Sequence, residues 1–190
     1  MKEKIENKQE FISNLKARAK EKCPQHADTI DRVKVAFGGE TKKGEVTENL
    51  DINLNLGYME SRNPDEQLFL FMHEVLHIDM GHMGSMEGKD KHLWNLACDA
   101  VINAQLSQKL GLAIPSDLIN MPEAKDKTAE QFYVELVALS KKGDVEVAGE
   151  LGDHHNEWEE RDKQMKNKKS SVQIVGVMPG LERHMERHRS

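Results

Sequence analysis

The segment His-Glu-Val-Leu-His at residues 73–77 constrains this chain more than any other part of its sequence. An α-helix places residues four apart one above the other on the same face, so His73 and His77 would point in the same direction. Two imidazoles in that arrangement can both reach one Zn²⁺ at about 2.0–2.1 Å. Glu74, beside the first histidine, can take a proton from a water molecule at the metal. We therefore predict His73 and His77 as zinc ligands and Glu74 as the catalytic base.

The residues around this motif predict that its helix is buried and well delimited. Residues 63–66 read Asn-Pro-Asp-Glu, a typical helix start, and Gly81 is a natural stop. A helix carrying His and Glu can match the motif by chance, with two core or surface histidines and a solvated glutamate. The apolar context favours the metal site over that purely structural interpretation. The apolar neighbours are Phe69, Leu70, Met72, Val75 and Leu76.

Two residues are candidates for the third protein ligand that a catalytic zinc site needs. Asp99 lies 22 residues after His77, on the next predicted helix and among apolar side chains, where an ionised carboxylate needs a cation or a hydrogen-bonding partner. His82 lies five residues after His77, which on a continued helix would turn it about 140° away. It could reach the metal only if the chain folds back at Gly81. We favour Asp99, and expect the other residue to orient an imidazole or a water molecule.

Periodicity elsewhere in the chain predicts an α+β fold with a small mixed sheet packed on helices, including the helix of the motif. Apolar and polar residues alternate in residues 50–56, which predicts a half-buried strand. Strands at the rim of peptidase clefts commonly pair with extended substrates, so this strand could have that role. A shorter strand is predicted at residues 33–37, and helices at residues 5–22, 92–109 and 128–139.

Composition argues against several classes of partner and location. The net charge is −6, and a nucleic-acid-binding chain would usually be basic. There is no apolar run of transmembrane length, and the charged N-terminus lacks the apolar core of a signal peptide. The two cysteines, Cys23 and Cys98, form no close-spaced metal motif. We expect a cytoplasmic protein that binds neither nucleic acid nor membranes.

A change of character near residue 150 predicts two regions: a catalytic domain at 1–150 and a charged tail or linker at 151–190. The tail begins with a polar stretch that contains His154. Peptidase sites often use a histidine or tyrosine to stabilise the oxyanion, and Asp153 could fix the tautomer of His154. His154 is therefore our second catalytic candidate, equally open to interpretation as a solvated loop residue. Tyr133 is a weaker candidate that fits a core position better.

Five segments of the chain form an ordered set: residues 73–77 with Gly81 and His82, residues 94–103, residues 111–115, residues 129–133, and Asp153, His154 and Trp158. Together they resemble a metallopeptidase domain of bacterial and phage proteins that often precedes a von Willebrand factor A-like domain. The resemblance covers approximately residues 60–160 and implies a compact zincin-like fold and a zinc-dependent hydrolase, with His73 and His77 as ligands and Glu74 as base. The 190 residues leave no room for a von Willebrand-type domain, so we expect any such partner to be a separate domain or protein.

These observations predict a zinc peptidase that cleaves peptide or protein substrates with a water molecule activated by the metal and Glu74. The alternative is a zinc-stabilised binding or regulatory module with little turnover. Glu74 distinguishes the two, because a binding site needs no base between its ligands. We also expect residues 153–158 to fold over the site.

Overall fold

The computed structural model describes residues 4–141, which form six α-helices and a three-stranded sheet. The α+β fold class is therefore confirmed. Short 3₁₀ turns at Pro24–His26 and Pro122–Ala124 complete the elements of this part. In chain order the helices and strands are α1 (Lys8–Lys22), α2 (Ala27–Arg32), β1 (Val35–Phe37), β2 (Gly44–Val46), β3 (Ile52–Leu54), α3 (Leu56–Glu60), α4 (Pro64–Asp79), α5 (Lys91–Leu110) and α6 (Ala129–Lys141).

Helix α4 carries the motif and lies at the centre of the fold. Every residue from 67 to 77 is buried, so α4 is covered on all sides rather than along one stripe. Helices α1, α2 and α5 and strand β2 pack around it. The polar side chains of α4 are consequently held in the core, where a long apolar helix provides a rigid support.

The start of α4 is fixed by the residues that the sequence predicts. The side chain of Asn63 accepts hydrogen bonds from the backbone of Asp65 and Glu66, at 3.0 and 2.9 Å. The Glu66 carboxylate accepts in return from the backbone N–H of Asn63, at 3.1 Å, which completes a capping box. Pro64 occupies the first helical position, where its missing N–H costs nothing.

The sheet has the strand order β1-β3-β2. β3 pairs in parallel with β1 and antiparallel with β2, so the sheet is mixed, as predicted. The central position of β3 contradicts the expectation that this segment forms the rim of a substrate cleft, because both of its edges already pair with other strands. β2 is the strand of this sheet that packs against α4.

The predicted strand at residues 50–56 is too long at both ends. Leu50 has a φ of +59° and lies in the turn before β3, and Leu56 begins α3. Asn55 caps that helix by accepting a hydrogen bond from the backbone of Tyr58 at 2.8 Å. An Asx cap therefore ends the strand after three residues, despite the continuing alternation of apolar and polar residues.

Helices α5 and α6 follow the predicted positions and form a second apolar cluster. α5 ends at Gly111, whose φ of +63° suits a left-handed helix terminus. α6 begins after Thr128, which exchanges hydrogen bonds with Gln131 in a capping box. The buried apolar residues shared by the two helices include Leu93, Leu96, Ala97, Ala100, Val101, Phe132, Leu136 and Leu139.

Within residues 4–141, none of the helices combines the length and the apolar character that crossing a bilayer requires. The domain boundary at residues 150/151, the charged tail, His154 and the segment 153–158 lie outside the described residues. Those assignments stay predictions.

The capping box gives a test of how α4 supports the fold. Asn63→Ala should lower the free energy of unfolding by about 1 kcal/mol, because two backbone N–H groups lose their acceptor. Asn63→Asp keeps the acceptor and adds a negative charge at a helix N-terminus, so it should leave stability nearly unchanged. Urea unfolding followed by circular dichroism measures both variants. Equal losses in the two variants would show that the cap does not stabilise α4.

Candidate metal centre

Two adjacent helices contribute the polar side chains of the site. α4 provides His73, Glu74 and His77, and α5 provides Asp99. The two histidines are four residues apart on one face of α4, and Asp99 meets them from α5. All four side chains are buried, with exposed fractions between 0 and 3%.

Three potential ligand atoms converge at this place. Nε2 of His77 lies 3.0 Å from Nε2 of His73 and 3.0 Å from Oδ1 of Asp99. Nε2 of His73 lies 3.5 Å from the same carboxylate oxygen. A tetrahedral zinc ion at about 2.0–2.1 Å from its ligands would set those ligands about 3.3 Å apart. The three atoms therefore have the spacing of a metal-binding triad.

The charge of the cluster also suits a cation. Burial by itself raises the pKa of Asp99, but hydrogen bonds and charge interactions with His73 and His77 outweigh it, and the pKa lies well below its usual value. The site therefore holds an anionic oxygen in the core. An ionised carboxylate there is costly without a compensating cation or hydrogen bonds. Two imidazole nitrogens and one carboxylate oxygen form a donor set that Zn²⁺ accepts.

The side chain of Asn103 contacts Nδ1 of His73, the ring nitrogen that is not part of the triad. Asn103 lies on α5 one turn after Asp99, and its Oδ1 is 2.8 Å from Nδ1 of His73. The Nδ2 of the same amide donates to the carbonyl of Ile119 at 2.9 Å. His73 is thus oriented by a buried side chain of the neighbouring helix.

The imidazole of His82 contacts Nδ1 of His77, the ring nitrogen that is not part of the triad. Gly81 has a φ of +64°, which lets the chain turn back after α4. The Nδ1 atoms of His82 and His77 are 3.2 Å apart. Burial lowers the pKa of His82 to about 4, so at neutral pH its imidazole is uncharged and Nδ1 can accept from His77. The indole of Trp94 donates to the His82 carbonyl at 3.0 Å and fixes the turn.

The carboxylate of Glu74 lies against strand β2 at Gly44. A Cβ atom on Gly44 would be 2.9 Å from Oε1 of Glu74 and 3.3 Å from its Cγ, closer than side chains normally approach. The hydroxyl of Thr41 donates to the Gly44 carbonyl at 2.8 Å and holds this part of the strand in place. The missing side chain of Gly44 therefore provides the space that Glu74 occupies.

Two other polar side chains near the motif have partners outside the triad. Asp79, the last residue of α4, forms hydrogen bonds with His26 and Thr29. The Tyr133 hydroxyl accepts from the backbone N–H of Asp90 at 2.8 Å, and its ring packs on Trp94. Tyr133 is therefore half-buried at the edge of the cluster that α5 and α6 form. His154 lies outside the described residues.

Sequence reasoning missed two residues that support the site. Asn103 follows Asp99 by four residues, so helical spacing could have placed it on the same face. Gly44 lies in a polar segment that gives no signal of its contact with Glu74, because that contact joins residues 30 positions apart.

A family model described as "putative metallopeptidase domain" matches residues 15–189, nearly the whole chain. Neither a curated protein nor a solved structure matches the chain. The matched region contains all the residues of the triad as well as Glu74. The chain belongs to this metallopeptidase-domain family.

Proposed function

We propose that the chain is a zinc-dependent metallopeptidase with a zincin-like arrangement of its motif helix and sheet. His73, His77 and Asp99 would hold Zn²⁺, and Glu74 would be the general base. The observation that carries the proposal is the convergence of two Nε2 atoms and one carboxylate oxygen within 3.5 Å of one another. Membership of the metallopeptidase-domain family supports it independently.

Zn²⁺ in such a site lowers the pKa of a water molecule and polarises a carbonyl group. The residues of this chain would supply the proton transfers. Glu74, next to His73 on the same helix, would accept a proton from the attacking water and donate it to the leaving amine. A peptide or protein substrate is the class that this reaction implies. His154 stays a candidate for stabilising the oxyanion.

The support around Glu74 favours catalysis over a zinc-stabilised binding module. Glu74 is not needed to complete the triad, since two histidines and Asp99 already provide three ligands. The fold nevertheless buries this carboxylate and leaves space for it at Gly44. Burial of an additional carboxylate is unfavourable, and a proton-transfer role gives a reason for retaining it.

Metal content tests the ligand assignment. The purified chain should contain about one zinc, and His77→Ala or Asp99→Ala should each lose it, because a triad without one member holds the ion much less tightly. His26→Ala and Asp31→Ala are matched controls, since both residues lie outside the triad. Inductively coupled plasma mass spectrometry gives the stoichiometry. Zinc retained in Asp99→Ala would exclude Asp99 as a ligand.

Glu74→Gln tests whether the site is catalytic. The amide has nearly the shape of the carboxylate but cannot take a proton, so turnover should fall by about 10²–10⁴ while zinc content stays at the parent level. A mixed-sequence library of internally quenched peptides serves as the substrate. A zinc-loaded parent with no more cleavage than the Glu74→Gln variant would point to the binding module instead.

Gly44→Ala tests the space reserved for Glu74. The added methyl group would displace the carboxylate, and turnover should fall by about 10- to 100-fold because catalytic groups are sensitive to small misplacements. Zinc content should be unchanged. Gly57→Ala is the control, because a Cβ there meets only a side-chain oxygen of Asn55, at 3.5 Å. Equal turnover in the two variants would refute the spacing role of Gly44.

A further inference from the structure

The side-chain amide of Asn103 joins the candidate metal centre to a loop that is remote in sequence. Its oxygen faces Nδ1 of His73 at 2.8 Å, and its nitrogen faces the carbonyl of Ile119 at 2.9 Å. Asn103 is 1% exposed, so its amide is shielded from water, and its contact with His73 is fully buried. We call residues 111–121, which contain Ile119, the anchor loop.

The Ile119 carbonyl determines which way the amide points. A carbonyl only accepts hydrogen bonds, so the NH₂ group of Asn103 must face Ile119 and the oxygen must face His73. The amide oxygen also only accepts, so Nδ1 of His73 must carry the proton. The neutral imidazole then has its lone pair on Nε2, the atom that faces His77 and Asp99. The tautomer required for metal binding follows from the position of one backbone carbonyl.

A polar cluster around Asp117 holds the anchor loop. Oδ2 of Asp117 accepts from the hydroxyl of Tyr58 and from Nη2 of Arg62, both at 3.0 Å. Nζ of Lys43 donates to the Asp117 carbonyl at 2.7 Å. Lys43 directly precedes β2, Tyr58 lies on α3 and Arg62 follows α3, so the loop is attached to segments that are remote from it in sequence. Ile119 is only two residues from this attachment.

We propose that Asn103 is a positioning residue that transmits the placement of the anchor loop to His73 and thereby sets the affinity of the site for its metal. The inference rests on the proposed function, since it assigns a role in the same metal centre. A simpler interpretation is that Asn103 is a satisfied core amide that stabilises the packing of α5. The two differ in their consequences, because only the coupling role links Asp117 to zinc binding through Asn103.

Zinc affinity measured by competition with a chromophoric chelator tests the coupling. Asn103→Leu removes the acceptor for His73 and should weaken zinc binding by about 10- to 100-fold, the usual effect of losing the partner of a ligating histidine. Ser107→Ala is the matched control. Ser107 also lies on α5 and donates to the loop, at the Leu112 carbonyl, but it does not contact His73. The affinity of the Ser107→Ala variant for zinc should equal that of the parent.

A double-mutant cycle identifies the route of the effect. Asp117→Asn weakens the attachment of the anchor loop and should reduce zinc affinity in the parent, yet have no further effect when combined with Asn103→Leu. Asn103→Asp provides a conservative rescue, because its carboxylate still accepts from His73 while the bond to Ile119 is lost. In that variant we expect near-parental zinc affinity that no longer responds to Asp117→Asn. The absorption spectrum of bound Co²⁺ should change in Asn103→Leu and stay close to the parent in Asn103→Asp.

The possible results distinguish a failure of the inference about Asn103 from a failure of the proposed function. A parent that binds no zinc would overturn the proposed function, and the inference with it. If the parent binds zinc and Asn103→Leu binds it equally tightly, the inference is overturned while the proposed function stands. Additive effects of Asp117→Asn and Asn103→Leu on zinc affinity would also overturn the inference alone, because they would mean that the loop acts by another route. Thermal unfolding of the metal-free variants shows whether any loss arises merely from instability.

Discussion

The structure depends on holding two imidazole nitrogens and one carboxylate oxygen together in the core. Groups of this kind are unfavourable in an apolar interior unless hydrogen bonds or a cation compensate them. The fold satisfies that constraint by placing His73, His77 and Asp99 on two long helices that pack directly on each other. α4 is buried on all sides from residue 67 to residue 77, so its polar side chains have little freedom to turn away from one another.

Three side chains of the site, those of His73, His77 and Glu74, are each supported by a different part of the chain. Asn103 on α5 orients His73, the turn at Gly81 brings His82 to His77, and β2 leaves space for Glu74. The short sheet therefore contributes to the site although it provides no ligand. The same strand also approaches the anchor loop, because Lys43 directly precedes Gly44 and donates to the backbone of Asp117. The cluster at Asp117 thus lies where the supports of Glu74 and His73 come together.

The long helices α1, α4, α5 and α6 and the ligand candidates could be predicted because their signals are local. The capping box at Asn63, the stop at Gly81 and the helical spacing of residues 73 and 77 all lie within a few turns. Asp99 could be nominated because an isolated carboxylate in an apolar helix needs a partner. The sheet order could not be predicted, since alternation in residues 50–56 is the same for a central and an edge strand. The contact of Gly44 with Glu74 depends on how β2 packs on α4, which no local pattern encodes.

The supports of the two histidines are both neutral, and this has an electrostatic consequence. The oxygen of Asn103 and the uncharged imidazole of His82 occupy positions where carboxylates often stand behind metal-ligating histidines. In the proposed centre, Asp99 and a deprotonated Glu74 would together balance the charge of one Zn²⁺. A carboxylate behind either histidine would make the buried site negative and would weaken the polarisation of a substrate carbonyl. Neutral acceptors fix the tautomers without that cost. Asn103 and His82 would therefore suit the proposed centre, which would have to polarise a substrate carbonyl as well as retain a metal.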